Sequence, residues 1–282
     1  MKEKLRELQL AELNMLKDVV LFCEENRIQY FLFAGSLLGA ARHGGFIPWD
    51  DDIDICMDVV NYRKFLKLGI KGLGEKYFIQ NYRTDRKAYY PWIQIRMNGT
   101  TSVERHMLNY DIHHGICMDV FVISQRAEGR FARTIQQFAT SMMTILIEKH
   151  LYEFTGNKQT VKRKLVNSII PEAFRIPLLR MLERFSYIKL RNAKECFNME
   201  KMNLKNPVAY PIEIMDMQRR TKIRFEDSEF WTFGDWEQYL QIAYGDWRQF
   251  PPEDKRCGHG DLIIDLNKDY REYQLGNKSQ KQ

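Results

Sequence analysis

Several things are scarce in this sequence, and each scarcity excludes something. No stretch approaches the ~20 consecutive apolar residues that a membrane-spanning helix needs. The longest apolar run, near Met142 to Ile147, is far shorter. Met1 to Asn26 is charged throughout, which argues against a signal peptide and for a cytoplasmic protein. The five cysteines, Cys23, Cys56, Cys117, Cys196 and Cys257, stand singly. An odd count without paired spacing argues against a disulfide framework and a structural zinc site, and suits a reducing compartment. These thiols read as small buried apolar side chains. Repeats and low-complexity linkers are missing. A large charge of one sign is missing too, since +6 over 282 residues is mild. It suits an anionic ligand, but no zinc-finger or RNA-recognition signature accompanies it, so no nucleic-acid partner is expected.

Apolar residues make up 44% and charged residues 28%, the composition of an ordinary globular protein with a sizeable core. Leu13, Leu16, Val20 and Cys23 recur at helical spacing, so residues 3–26 read as an amphipathic helix. Tyr30 to Ala34 reads as a short buried strand, followed by Gly35-Ser36, with Ser36 placed to cap a helix from Leu37 to Arg42. The Gly44-Gly45 pair would end that helix. Phe46 to Trp49 is a loop because of Pro48. Strands are expected at Asp52–Met57, Tyr77–Tyr82, Trp92–Met97, Thr100–Arg105 and Ile116–Ile123, with a helix at Asn61–Leu68. From Phe131 to Lys201 the pattern is helical, with breaks at Pro171 and Pro177. One further helix is expected at Trp236–Tyr244. The fold class is α+β: a mixed sheet flanked by helices, with a helical insert in the second half. Three regions follow, residues 1–124 as the catalytic core, 125–205 as the insert, and 206–282 packing back on the core.

The informative segment runs from Gly35 to Ile55 and contains Asp50-Asp51-Asp52-Ile53-Asp54. Alternate residues of a strand share a face, so Asp52 and Asp54 would point together while Ile53 and Ile55 enter the core. Paired carboxylates repel unless a cation lies between them, and oxygen-only ligands suit Mg²⁺ or Mn²⁺. A third acid, Asp119, is the lone charge in the hydrophobic run Ile116 to Ile123. Such an acid is costly unless it is paired or holds a metal; an Asp119–Arg ion pair is the plain alternative. A solvated acidic turn fits poorly beside Ile, Cys and Trp. An EF-hand fails outright: counted from Asp50, Ile55 occupies the glycine position and Asn61 the glutamate position. A sugar-nucleotide glycosyltransferase also uses an Asp-x-Asp pair and stays open, although it would normally place a longer nucleotide-binding α/β unit before the pair than the one strand here. Gly35 permits close backbone approach to a phosphate, and a helix starting at Ser36 offers N–H groups to it.

Gly35-Ser36, Arg42-His43, Gly45-Phe-Ile-Pro-Trp49 and Asp50-Asp-Asp-Ile-Asp54 together resemble the signature of the LicD family. That family includes bacterial phosphocholine transferases and the animal fukutin group, on a polymerase-beta-like nucleotidyltransferase fold. The resemblance continues through Asp119-Val-Phe121 and returns at Tyr239-Leu240, Tyr244-Gly-Asp246 and Pro251-Pro252. It implies Asp52, Asp54 and Asp119 as metal ligands and catalytic residues. Arg96 with Thr100 and Thr101 would face the nucleotide, Arg42 would clamp a diphosphate, and His43 would sit at the nucleotide. The implied reaction moves a phospho-alcohol group from a CDP-activated donor, CDP-choline first, to a hydroxyl of a glycan or lipid-linked glycan, releasing CMP. Trp49, Tyr89, Tyr90 and Trp92 are available as a cage for the choline ammonium. A nucleotidyltransferase releasing pyrophosphate, and a non-catalytic metal- or nucleotide-binding module, stay open beside it. Lys158, Lys162, Arg163 and Lys164 make peripheral contact with the inner membrane face a further expectation.

Overall fold

The computed structural model describes residues 2–190, 192–198, 209–258 and 260–279. Helix α1, Lys2–Glu25, buries a stripe of Leu8, Met15, Leu16, Val19 and Cys23. Strand β1, Phe31–Leu32, is short because the chain turns abruptly into α2, Ala34–His43. Ala34 makes that turn with φ 45°, a left-handed conformation that costs a β-carbon about 1 kcal/mol. Gly44 ends α2 with φ 71°, its N–H returning to the Ala40 carbonyl. After the loop comes β2, Asp54–Asp58, and then α3, Val59–Gly72, whose first turn is capped by the Asp58 carboxylate accepting from Asn61 N–H.

Four strands follow: β3 Tyr77–Gln80, β4 Ile93–Met97, β5 Thr101–Glu104 and β6 Cys117–Gln125. The second half supplies α4 Arg130–Ile147, α5 Lys149–Thr155, α6 Val161–Ile169 and α7 Glu172–Ser186. Then come β7 Glu195–Asn198, β8 Tyr210–Pro211, the hairpin β9 Arg220–Phe225 with β10 Ser228–Phe233, and α8 Trp236–Tyr244. Last are β11 Leu262–Asp265 and α9 Tyr270–Ser279.

The main sheet runs β1-β2-β6-β4-β3, with β7 joined to the C-terminal end of β6 and β8 to β7. The β2–β6 pair is parallel and its neighbours are antiparallel, so the sheet is mixed and has helices around it, an α+β architecture. One core, built from α1, α3 and the inner sheet residues, lies on one side; the other gathers Phe33, Leu37, Phe121, Phe233 and Tyr239. The late elements return to early ones: β11 pairs β5, and β10 lies against β1.

Four expectations need correction. Asp52 precedes the strand instead of opening it, because the ladder with β6 begins at the Asp54–Asp119 pairing. Ser36 lies inside α2 and caps nothing; Phe33 occupies the cap position without a side-chain bond. Pro177 does not break the chain but sits within α7, where Ala173 and Pro177 are both exposed and water can serve the released carbonyl. Residues 195–198, expected to be helical, form β7 of the main sheet, and the rest of that helical stretch, 199–201, lies outside the described residues.

Candidate active site

Register places the acids before any side-chain argument is needed. Asp54 on β2 pairs with Asp119 on β6, Asp119 with Gln94 on β4, and Gln94 with Gln80 on β3. Directly opposed residues share a sheet face, so a row of four polar side chains crosses the sheet. Asp54, Gln94 and Gln80 are buried, and Asp119 is half-buried. The row is ordered by hydrogen bonds. Gln94 Nε2 donates to Asp119 Oδ1 at 2.8 Å, and Arg96 Nη2 donates to Gln94 Oε1 at 2.6 Å. Arg96 Nε donates to Gln80 Oε1 at 2.8 Å, and Gln80 Nε2 to Asp85 Oδ2 at 2.9 Å. Because Arg96 only donates, it holds the oxygen of Gln94 toward itself and leaves the amide nitrogen facing Asp119.

A cavity of ≈ 330 Å³ opens over this row. Asp51, Asp52, Asp54 and Asp119 line it, with Arg96 and the aromatic wall Tyr89, Tyr90, Trp92 and Phe121. Burial pushes the Asp119 carboxyl up to about 6; the Gln94 amide opposes this, and the negative Asp52 reinforces it. The Trp92 indole favours the charged form weakly, yet its buried Nε1–H completes no hydrogen bond. Among the described residues, the larger hollows at Arg63–Leu190, Ala127–Asn192, Glu24–Trp231 and Phe78–Gln274 gather no more than two acids each.

Of the residues implicated by sequence, Asp52, Asp54, Asp119 and Arg96 meet in this cavity. Gly35 stands at its edge, where an added β-carbon would lie 3.0 Å from Asp50 Oδ2 and 3.9 Å from Asp54 Oδ2. Ser36 supports the site from behind: its buried Oγ accepts the Asp54 N–H at 2.8 Å. Arg42 and His43 lie elsewhere. Arg42 donates to the Gln249 carbonyl at 3.1 Å and packs 4.9 Å from the Phe250 ring centre, while His43 Nε2 accepts from Arg42 Nε. Thr100 bonds the Met97 carbonyl and the Ile116 N–H, and Thr101 the Lys268 carbonyl, so both hydroxyls serve turns and strand ends. Trp49 does not line the cavity.

Two residues of α1 belong to the site and escaped sequence reasoning. Gln9 Nε2 donates to the Asp50 carbonyl at 2.9 Å and the Ile47 carbonyl at 3.3 Å, pinning the loop that delivers the acids. Glu12 is 1% exposed, and its carboxyl is held well above the usual carboxylate range by burial and by the charges of Asp52, Asp51, Asp50 and Asp119. Its signal was present in the sequence: Glu12 interrupts the buried stripe of α1 between Leu8 and Met15.

The donor set suits a hard divalent cation, since five carboxylates, Asp51, Asp52, Asp54, Glu104 and Asp119, share one cavity with a single guanidinium already bonded to protein groups. The coordination is not preformed: among the described residues no three His, Cys, Asp or Glu side chains stand arranged to hold a metal ion. A cation would be held there only after the carboxylates adjust.

Parts of the chain are similar in sequence to known proteins. Residues 27–145 match the family model described as "LicD/FKTN/FKRP, nucleotidyltransferase domain". The chain is 46% identical over 76 residues to the lipopolysaccharide cholinephosphotransferase LicD of Haemophilus influenzae, 27% of this chain and 29% of that protein. It is 57% identical over 37 residues to the ribitol 5-phosphate transferase FKRP of Homo sapiens, 13% of this chain and 8% of that protein. An uncharacterized protein of Rickettsia typhi, RT0683, is 38% identical over 60 residues, 20% of this chain and 19% of that one. The matches thus span less than a third of these relatives' lengths.

Proposed function

This chain carries a domain of the LicD family, kin to the fukutin-related transferases, and on that premise we propose that it is a phospho-alcohol transferase. The donor is a CDP-alcohol, CDP-choline first; the acceptor is a hydroxyl of a glycan or lipid-linked glycan, and CMP leaves. The observation that carries this reading is the row Asp54–Asp119–Gln94 meeting Asp52 in one cavity of the family domain. The two relatives whose activity is named transfer phosphocholine and ribitol 5-phosphate.

Asp52, Asp54 and Asp119 would hold Mg²⁺ or Mn²⁺, which supplies charge neutralisation for the diphosphate and the leaving phosphate. The chain's own residues do the rest. Gln94, oriented by Arg96, fixes the Asp119 carboxylate and keeps one of its oxygens hydrogen-bonded. Ser36 fixes the backbone of Asp54, and Gln9 that of Asp50. Tyr89, Tyr90 and Trp92 line the same cavity, side chains of the kind that receive a quaternary ammonium, which supports choline as the first guess. Arg42 and His43 act away from this cavity, so a diphosphate clamp by Arg42 requires the donor to extend toward Phe250.

The test is calorimetry of CDP-choline, CDP-ethanolamine, CDP-ribitol and nucleoside triphosphates with Mg²⁺, on wild type and Asp52→Ala. Metal-dependent binding of one CDP-alcohol, lost in the variant, is the expected result. Preference for a triphosphate, with pyrophosphate as product, would replace this reading with a nucleotidyltransferase. Binding of neither class would leave a non-catalytic module.

A further inference from the structure

Among the described residues, the helices of the second half carry an apolar face that nothing covers. On α4, Phe131, Ile135 and Phe138 are exposed at helical spacing, Phe131 by 80%. On α7, which packs along α4, Phe174, Met181 and Phe185 repeat the pattern at spacings of seven and four. The two stripes meet: Ile135 and Phe185 line one shallow apolar hollow together with Ile188 and Leu190. Isolated exposed apolar residues are ordinary, whereas adjoining stripes on packed helices mark an interaction surface.

The same Ile188 and Leu190 also line the neighbouring groove, which has a volume of ≈ 920 Å³ and is cationic. Arg63, Lys67, Arg83, Arg180, Arg184 and Lys189 surround it, against the single carboxylate of Glu183. Glu183 is taken by Arg83 at 2.7 Å, and Lys189 reaches Asp58 at 2.9 Å. Among the described residues, Lys67, Arg180 and Arg184 have no carboxylate in ion-pair contact. Arg180 and Arg184 flank the Met181–Phe185 stripe on the same helix. An apolar strip edged by unneutralised arginines is the chemistry of a helix lying in the interface of an anionic bilayer.

We propose that the α4–α7 face docks on an anionic lipid bilayer, with the apolar stripes entering the headgroup boundary and the basic groove facing lipid phosphates. Among the described residues no helix is long and apolar enough to cross a membrane, so the contact is peripheral. A second copy of the chain is a poorer occupant. A twofold pairing through these stripes would enclose two copies of the cationic Arg180–Arg184 edge in one interface. The tetrad Lys158, Lys162, Arg163 and Lys164, singled out by sequence, is weaker footing, since Arg163 is paired with Glu148 and stacked on Tyr152.

The experiment is co-sedimentation of the full chain with vesicles of equimolar phosphatidylglycerol and phosphatidylcholine, and of phosphatidylcholine alone, at about 0.1 M salt. Wild type is expected to sediment with the anionic vesicles and at least ~10-fold less with the neutral ones. Arg180→Glu/Arg184→Glu and Phe131→Ser/Phe138→Ser should each lower partitioning at least ~10-fold with unchanged thermal midpoints, the replaced side chains being exposed. Absence of sedimentation, or equal sedimentation of both variants and wild type, would overturn the proposal. So would a concentration-dependent dimer that Phe131→Ser/Phe138→Ser abolishes. CDP-alcohol binding by calorimetry is read separately on the same variants, so either conclusion can fail without the other.

Discussion

Replacing Ser36 with alanine separates two roles that the sequence left entangled, phosphate contact and support of Asp54. In the structure Ser36 Oγ accepts the Asp54 N–H at 2.8 Å, and the two residues are 4% and 5% exposed. Asp54 opens β2, and the Phe33 N–H holds its carbonyl at 3.1 Å, so its backbone is fixed from both sides. Alanine removes the acceptor but leaves the buried N–H in place. The expected cost is that of an unsatisfied buried donor, about 1–3 kcal/mol. For a chain of this size that is a fall in thermal midpoint of roughly 2–6 °C. The assay is thermal or urea unfolding without metal or nucleotide, followed by CDP-alcohol titration with Mg²⁺. A support role predicts lower stability in the free protein, with weakened binding as its consequence. An unchanged midpoint together with weakened binding would refute the reasoning and return Ser36 to direct contact with the ligand.

Two further outcomes follow from equally local geometry. Gly39→Ala would put a β-carbon 2.4 Å from the Gly45 carbonyl and 3.1 Å from Ile47 N, both backbone atoms of the loop before the acids. It should cost ~1–3 kcal/mol and weaken metal-dependent binding together; a neutral effect in urea unfolding would show that the loop yields freely. His114 is 3% exposed, its Nε2 donates to the Tyr110 carbonyl, and burial pushes it down to about 4. A histidine lowered in the folded state contributes stability that is present above its unfolded pKa and lost as pH falls toward the folded one. His114 therefore contributes about 2 kcal/mol less at pH 5 than at pH 8. Asp119, raised to about 6, acts in the opposite sense over part of that range, so the signal is the difference between wild type and His114→Gln. Parallel stability-versus-pH curves for the two proteins would contradict it.

The elements that were legible from sequence are those whose period is set locally. Helix α1, the strand around Ile93–Met97 and helix α8 at Trp236–Tyr244 stand where the spacing put them, because their apolar faces pack directly on the core. The hydrophobic run with one charge was read as a strand, and β6 does carry Asp119 there. What could not be read was pairing. The row Asp54–Asp119–Gln94–Gln80 is a product of strand order, and nothing local to Gln94 or Gln80 announces it. The same holds for β7, whose residues join the sheet only because β6 runs on past β4 and offers a free edge. Ser36 and Thr101, which the resemblance placed among the ligand contacts, also have structural partners that spacing could not show: their hydroxyls meet the Asp54 N–H and the Lys268 carbonyl.

The glycine pair at 44–45 shows how far a recognisable motif can be a packing device. Gly44 takes the left-handed conformation that closes α2, and any β-carbon there would be strained. Gly45 serves for another reason: a β-carbon would sit 2.4 Å from Glu226 Oε1, so the Glu226 side chain would have to leave its place. Glu226, in the turn between β9 and β10, accepts the Phe46 N–H at 3.1 Å and an ion pair from Arg6 of α1 at 2.6 Å, and its own N–H bonds the Gly44 carbonyl. Arg6 and Gln9 lie near one another on α1, so a single helix grips the loop twice, at Glu226 and at Asp50. Sequence alone assigned α1 no role at the acids, yet the position of Asp52 depends on this clamp, drawn from three separated parts of the chain. Substitutions at Arg6 or Glu226 should therefore reach the site through the loop, without either residue touching a ligand.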